Sequence, residues 1–188
     1  MFARSILGLL FATLAWGQSW SALDSQAENS YTRGDLAGAI ATAKAAVVSA
    51  SDPQQFAHSL DRLGFFQFTA GDLKAGEASL RQALEIRKTK IGEDTLDYAE
   101  SANDLALLCR DSNQFPEGRK LAEQAVAIRS KLLGARDPHV AESLNTLGGI
   151  FALMAKKCWR RLRRPAWRLQ CPTLARKDVS GLLLLRLQ

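Results

Sequence analysis

The sequence predicts an all-α protein, a right-handed superhelical solenoid of antiparallel helix pairs. Three observations predict this fold. One segment pattern recurs along the chain, apolar residues inside each repeat follow helical spacing, and glycines stand where paired helices turn or approach. With 188 residues, 47% of them hydrophobic and only five prolines, the composition is that of a single globular domain.

A repeat of 42 residues is the strongest of these signals. Residues 98–108 (YAESANDLALL) match residues 140–150 (VAESLNTLGGI), and residues 82–92 (QALEIRKTKIG) match residues 124–134 (QAVAIRSKLLG) at the same shift. An upstream unit shares Gly-Asp-Leu with its successor, at residues 34–36 and 71–73, at a shift of 37. We predict units at about 22–55, 56–97 and 98–139, and the start of another at 140–155.

Each unit reads as two helices around a tight turn. In the clearest unit the spacing predicts helices over 56–69 and 73–88, with Gly71 supplying the turn. Gly64 on the first helix is expected to face Gly76 on the second, because two small residues let antiparallel helices approach closely. Ala106 and Gly118 repeat this arrangement one unit on.

These residues resemble the tetratricopeptide repeat family. The longer period is similar to that of kinesin light chain repeats, and the resemblance covers roughly residues 23–155. The matching positions are Leu63, Gly64, Gly71, Leu73, Gly76, Leu80 and Ala83, then Leu105, Ala106, Asn113, Phe115, Gly118, Ala122 and Ala125. Gln67 and Cys109 depart from it where the family often has an aromatic residue, and the turn at Asn113 lacks glycine.

The resemblance implies a concave groove, lined by the first helix of each unit, that binds an extended peptide or a helix of another protein. The predicted groove residues are His58, Asp61, Phe65, Phe68, Glu100, Asn103, Leu107, Arg110, Glu142 and Asn145. Asn103 and Asn145 are the principal candidates, because an amide can pair with any peptide backbone as donor and acceptor. Arg110 could bind a carboxylate. The alternative is that the two asparagines only tie neighbouring helices together.

The sequence shows no catalytic constellation. It has no HExxH, GxSxG or P-loop spacing, and its three cysteines follow no zinc-binding pattern. We therefore expect a non-enzymatic scaffold that needs no cofactor or metal and binds another protein. Another possibility is that the chain is the orphaned regulatory part of a larger signalling or protease protein.

The first residues are predicted to be a secretory signal peptide, residues 1–21. Arg4 precedes an apolar run over residues 6–16, and Ser19 and Ser21 supply the small residues before a cut after Ser21. This predicts an exported protein, periplasmic or secreted. A buried N-terminal helix and an uncleaved membrane anchor are the alternatives, although the run is about half of the roughly 20 residues that a spanning helix needs.

The last 33 residues, 156–188, differ from the rest of the chain. They carry a net charge of +9, which leaves −3 for residues 1–155, and the repeat pattern stops after Ala155. A basic lipid- or nucleic-acid-binding segment, an unusual cap and a shifted reading frame are the three interpretations, and we favour the third. A disordered tail would leave Leu147, Ile150 and Phe151 uncovered and allow self-association through the uncapped C-terminal repeat.

The runner-up function follows from the same tail. Its ten lysines and arginines predict a basic-tailed protein that binds a membrane surface, or less plausibly nucleic acid, with the repeats as a support. Binding of this kind should weaken steeply with salt and depend on residues 156–188. Binding through the groove should depend on Asn103 and Asn145 instead.

Overall fold

A computed structural model describes residues 19–162 of the chain, and within them the chain forms seven α-helices. The helices are α1 (Trp20–Thr32), α2 (Leu36–Ser49), α3 (Pro53–Thr69), α4 (Leu73–Ile86), α5 (Leu96–Asp111), α6 (Phe115–Leu133) and α7 (Pro138–Leu162). A π-helical turn, Arg87–Ile91, extends α4. This arrangement confirms the predicted all-α solenoid of helix pairs.

Short polar side chains fix where the helices begin. Asp35, Asp52 and Asp72 each accept a hydrogen bond from the backbone N–H three residues on, at 2.9, 2.8 and 3.1 Å. Thr95 caps α5 in the same way at 3.2 Å. Such caps satisfy amides that have no partner inside the helix. The cap at Asp52, with Pro53 at the first helical position, explains why α3 begins three residues before the predicted start at 56.

The turns inside the hairpins use left-handed backbone. Gly34 and Gly71 have φ of 81° and 85°, and Asn113 takes the same region with φ of 61°. Asparagine is one of the few residues with a side chain that tolerates this conformation. The departure from glycine at Asn113 therefore leaves the third hairpin intact.

Small residues hold the paired helices close, as the sequence predicted. A Cβ added at Gly76 would lie 3.0 Å from the Gly64 carbonyl oxygen. One added at Gly118 would lie 3.2 Å from the Ala106 carbonyl oxygen and 3.0 Å from the Cys109 Cβ. Larger residues at these two glycines would push the helices of their hairpins apart.

The buried apolar residues form two clusters along the stack. One lies between α1, α2 and α3 and includes Ala39, Ala43 and Phe66. The other extends from α4 to α7 and includes Leu80, Leu105 and other buried residues. Each hairpin thus completes its core with residues of its neighbours, as expected of stacked repeats.

Helix α7 continues without a turn through the predicted boundary at 155 and is described as far as Leu162. The predicted signal peptide, apart from residues 19–21, lies outside the described residues. So do residues 163–188, on which most of the interpretations of the tail depend. Helix α1 begins at Trp20, so the predicted cut after Ser21 would fall within its first turn.

Candidate protein-interaction surface

The first helices of successive units bring acidic side chains together on one wall of the stack. Glu100 and Asp104 lie on α5 and Glu142 on α7. Partial burial, and then the charges of Glu100 and Glu142, raise the pKa of Asp104 from 3.8 to about 7. Arg110 also reaches across to α7, where its Cδ lies 3.5 Å from a Cβ built at Gly149. We call the surface formed by Glu100, Asp104, Arg110 and Glu142 the acidic wall.

Behind the acidic wall, a buried ion pair of the second unit is tied to the third unit through Ser101. The side chain of Arg87 is 2% exposed and pairs with the Asp61 carboxylate. Its Nη1 also donates to the Ser101 hydroxyl and, at 2.8 Å, to the Asp97 carbonyl oxygen. Ser101 Oγ donates to Asp61 Oδ1 at 2.8 Å. Burial raises the pKa of Asp61, while Arg87 and Ser101 oppose that rise.

The same seam recurs 42 residues later, with Asn103 in place of Asp61 and Glu142 as an added partner of the arginine. Arg129 Nη1 donates to the His139 carbonyl oxygen at 2.9 Å, to Ser143 Oγ at 2.8 Å and to Glu142 Oε2 at 3.1 Å. Asn103 occupies the position of Asp61, and it is fully buried. Neither of its amide atoms hydrogen-bonds within the described residues. The asparagine position of the repeat therefore lies at the seam between units.

The predicted groove residues fall into three groups by exposure. Asp61 and Asn103 are buried, His58, Phe65, Phe68, Leu107 and Arg110 are half-buried, and Glu100, Glu142 and Asn145 are exposed. The exposure of Asn145 has a simple cause, since the described chain contains no hairpin beyond α7 to cover it. Of the two asparagines, only Asn145 is open to a partner in this structure.

The aromatic candidates contribute to packing. Phe65 lies edge-on to Tyr31 of α1, with ring centroids 5.5 Å apart. Phe68 packs against the larger core cluster. His58 lies edge-on to Trp20, with ring centroids 5.7 Å apart, and its Nε2 is 3.3 Å from Asp24 Oδ1. These three side chains join α3 to its neighbours and leave only part of their surface for a ligand.

Sequence reasoning missed Arg87, Ser101 and Asp104. Two of them left a signal, because Arg87 and Arg129, like Ser101 and Ser143, are identical residues at the 42-residue shift. A polar residue that is identical at both seams indicates a bond that holds the neighbouring helices together. Asp104 has no such signal, because threonine stands at the corresponding position 146.

Two searches of the described residues bear on other kinds of site. Within residues 19–162 no group of three or more His, Cys, Asp or Glu side chains is arranged to hold a metal ion. None of the helices in that range is long and apolar enough to cross a membrane.

Comparison with known proteins identifies the repeat. Residues 99–139 match the tetratricopeptide repeat family, while no curated protein sequence matches the chain. Among solved structures, BtubC (BKLC) from P. vanneervenii is 18% identical, with a TM-score of 0.66 over 76% of this chain. The present chain spans only 58% of the length of that protein.

Two further structures carry kinesin-light-chain repeats from Podosopora anserina, described as nearly identical TPR-like repeats. One is 19% identical, with a TM-score of 0.62, and covers 81% of this chain and 77% of its own. The other is 19% identical, with a TM-score of 0.58, and covers 88% and 85%. Residues 99–139 thus match the tetratricopeptide repeat family, and the described chain has the fold of the kinesin-light-chain-like tetratricopeptide solenoids.

Proposed function

We propose that this chain is a non-enzymatic scaffold that binds a basic segment of another protein along the acidic wall. The observation that carries the proposal is that Glu100 and Glu142 stand exposed on consecutive first helices, with Asp104 between them and near enough that, after burial, their charges help to raise its pKa. Carboxylates from two consecutive first helices are held close enough to repel one another. A cationic partner would relieve that repulsion, so its binding is favoured electrostatically.

The cations already present leave the acidic wall short of positive charge. Arg129 reaches Glu142, but its side chain is 6% exposed and turned into the seam. Arg110 pairs with its neighbour Asp111, with Nε 2.7 Å from Oδ1. Glu100 remains exposed to solvent beside them. A lysine or arginine of an extended peptide fits this environment, and Asn145 at the open end could pair with the peptide backbone.

The test measures binding of fluorescently labelled peptides to the full chain by anisotropy. A lysine- and arginine-rich peptide should bind, and should bind more weakly as salt is raised, whereas a glutamate-rich peptide of equal length should not. The double variant Glu100→Gln, Asp104→Asn should lose most of that binding. Glu123→Gln is the matched control, because Glu123 is a similarly exposed glutamate on α6. Equal binding of both peptides, or an unaffected double variant, would refute the proposal.

The basic-tailed alternative has one structural observation in its favour. Lys156, Lys157 and Arg160 stand exposed at the end of α7, where Trp159 is 59% exposed. Basic residues interleaved with tryptophan suit an anionic membrane surface. Co-sedimentation with phosphatidylserine vesicles distinguishes the two functions. The variant Lys156→Glu, Arg160→Glu should abolish vesicle binding if the alternative is right, and should leave peptide binding on the acidic wall unchanged.

We propose export on the strength of residues 1–21 alone. Their basic start, apolar run and small residues support a signal peptide. Ser19 and Trp20 also belong to the folded helix, because Ser19 caps α1 and Trp20 Nε1 donates to Ser59 Oγ at 2.7 Å. N-terminal sequencing of the chain recovered from outside the expressing cell tests whether the chain is exported and whether it is cut after Ser21. Recovery only from the cytoplasm, with residue 2 intact, would contradict export.

A further inference from the structure

An open cavity of about 490 Å³ lies between α4 and α6, the second helices of the second and third units. Leu84 of α4 and Leu121 of α6 line its two sides, and the buried Tyr98 and Leu105 of α5 line it as well. We call this space the α4–α6 cavity. Its volume lies within the range of about 300–1,000 Å³ that small-molecule sites occupy.

The α4–α6 cavity and the acidic wall lie on different sides of α5. Tyr98 and Leu105 are seven residues apart, so they share one side of the helix. Glu100 and Asp104 follow Tyr98 by two and six residues, which places them about 200° and 240° around the helix axis. A molecule in the cavity therefore leaves the acidic wall open, and the two surfaces can be occupied independently.

The cavity contains a phenol hydroxyl that has no partner in the described chain. Tyr98 is 4% exposed, and within residues 19–162 its hydroxyl makes no hydrogen bond. Burial raises the pKa of Tyr98, so the hydroxyl stays neutral and can both donate and accept. Buried tyrosine hydroxyls usually have a partner. Because this one lies on the cavity surface, a bound molecule can supply that partner.

Five charged side chains line the cavity, and two of them form no ion pair within the described range. Arg81 and Glu117 pair with each other at 2.9 Å, and Lys88 pairs at 3.1 Å with a carboxylate of the following loop. The remaining two are Lys120 on α6 and Glu85 on α4, which are exposed and of opposite sign. Opposite charges on the two sides of an apolar cavity complement a ligand that carries both signs.

The preceding seam shows that these polar groups are not a general feature of the repeat. The corresponding positions there hold Phe56, Val48 and Ala78, at shifts of 42, 37 and 42 residues. Apolar side chains thus replace the hydroxyl, the carboxylate and the ammonium group of the α4–α6 cavity. Stacking of the hairpins does not require the three polar groups, whereas recognition of a ligand in this one cavity accounts for all of them.

We propose that the α4–α6 cavity binds a free α-amino acid with an apolar side chain. The apolar side chain lies between Leu84 and Leu121. The carboxylate accepts a hydrogen bond from Lys120, and the ammonium group donates to Glu85 and to the Tyr98 hydroxyl oxygen. A ligand with a single charge would leave one of the two rim groups unpaired.

The first test titrates three probes into the full chain by isothermal titration calorimetry. L-Phenylalanine carries both charges, hydrocinnamate lacks the ammonium group and phenethylamine lacks the carboxylate, while all three carry the same ring. L-Phenylalanine should bind at one site per chain, and the other two should bind about threefold or more weakly. The double variant Glu100→Gln, Asp104→Asn should bind L-phenylalanine as the wild type does, which separates this site from the acidic wall.

The second test assigns each charge of the ligand to its residue. Glu85→Gln should weaken binding of L-phenylalanine about threefold or more and leave hydrocinnamate unaffected, because hydrocinnamate has no ammonium group. Lys120→Gln should weaken L-phenylalanine and leave phenethylamine unaffected. Tyr98→Phe should also weaken L-phenylalanine, and phenylalanine occupies the corresponding position 56. Lys74→Gln is the matched control, because Lys74 is exposed on α4 and does not line the cavity.

Three results would overturn the proposal. One is the absence of saturable L-phenylalanine binding at millimolar concentration. Another is equal or tighter binding of hydrocinnamate or phenethylamine, which would mean that the cavity accepts any apolar body or prefers a single charge. The third is an unchanged affinity for L-phenylalanine in both Glu85→Gln and Lys120→Gln, which would place the binding elsewhere. Both residues are exposed, so these variants test the site without disturbing the core.

Discussion

Replacement of Arg87 by methionine removes the positive charge of the buried seam while it keeps most of the side-chain volume. Asp61 is then left in the interior with only the Ser101 hydroxyl as a partner. Removal of one member of a buried ion pair costs about 3–5 kcal/mol, because the remaining charge is uncompensated. We expect the Arg87→Met variant to lose that much of its free energy of unfolding.

The seam one repeat later supplies the internal comparison. Arg129 is as buried as Arg87, but its anionic partner Glu142 has a side chain that is 53% exposed. The buried residue at that seam is the neutral Asn103. Arg129→Met therefore strands no charge and should cost only its hydrogen bonds, about 1–2 kcal/mol. Arg119→Met, an exposed control, should stay within about 0.5 kcal/mol of the wild type.

A double variant separates the ion pair from general packing. If the cost of Arg87→Met comes from the stranded carboxylate, addition of Asp61→Asn should restore part of the lost stability. A double-mutant cycle should then give a coupling free energy of about 2–3 kcal/mol between positions 61 and 87. If the cost comes from packing alone, the two substitutions should add.

Urea denaturation followed by circular dichroism and by tryptophan fluorescence measures all of these variants. Two probes are needed because stacked repeats can unfold in more than one step.

In the Arg87→Met variant, the arginine charge that lowers the pKa of Asp61 is gone. Burial therefore holds that pKa further above its value in the unfolded chain. The folded variant then keeps a proton that the unfolded chain releases, so its stability falls as the pH rises. Equal losses for Arg87→Met and Arg129→Met, or a loss below about 1 kcal/mol for Arg87→Met, would refute this reasoning.

Three further predictions concern other parts of the stack. Gly118→Ala should lower the free energy of unfolding by about 1–3 kcal/mol, because the added Cβ lies 3.0 Å from the Cβ of Cys109. The exposed control Lys120→Ala should leave the free energy of unfolding, measured by urea denaturation, unchanged. Because the pKa of Asp104 is raised from 3.8 to about 7, the folded chain holds its proton longer than the unfolded chain. Melting temperature should thus fall as the pH rises through that interval, and Asp104→Asn should reduce the slope; an unchanged slope would count against the pKa shift. Trp20→Phe should cost about 0.5–1.5 kcal/mol in the same denaturation assay, because it removes the hydrogen bond to Ser59. The double variant Trp20→Phe, Ser59→Ala should lose less than the sum of the two single losses. Simple additivity would exclude that bond.

Much of the fold could be predicted because its determinants are local. The turn at Gly71 and the close approach of Gly64 to Gly76 follow from residue size and backbone freedom at fixed spacings. The 42-residue identities then fix which helices are equivalent. No long-range pairing had to be guessed, since each hairpin packs mainly on its neighbours.

The placement of Asp61 and Asn103 could not be predicted in the same way. Helical spacing tells which residues share one face of a helix, but the neighbour that covers that face depends on the rotation between successive hairpins. Asn103 and Asp104 are adjacent in sequence, yet one is fully buried at the seam and the other lies on the acidic wall. The missing information was which side chains of the neighbouring hairpin would cover each side of the helix.

The end of α7 shows a second limit. The sequence predicted that the repeat stops at Ala155, and we placed a boundary there. Residues 156–162 contain no glycine, proline or asparagine, so nothing in them ends a helix, and α7 continues to Leu162. Loss of a repeat pattern and loss of helical structure are therefore separate events in this chain.

The arginine tie is missing from the first hairpin. At the 37-residue shift, Ala50 stands where Arg87 stands one unit later. The first two hairpins are joined instead by the Trp20–Ser59 hydrogen bond and by Arg62, which is partly exposed and bonds Asp24 at 3.0 Å and Glu28. Surface ion pairs of this kind contribute little and weaken with salt. The amino-terminal hairpin should consequently unfold first. Amide hydrogen exchange should be fastest in α1 and α2 and slowest around the two buried arginines.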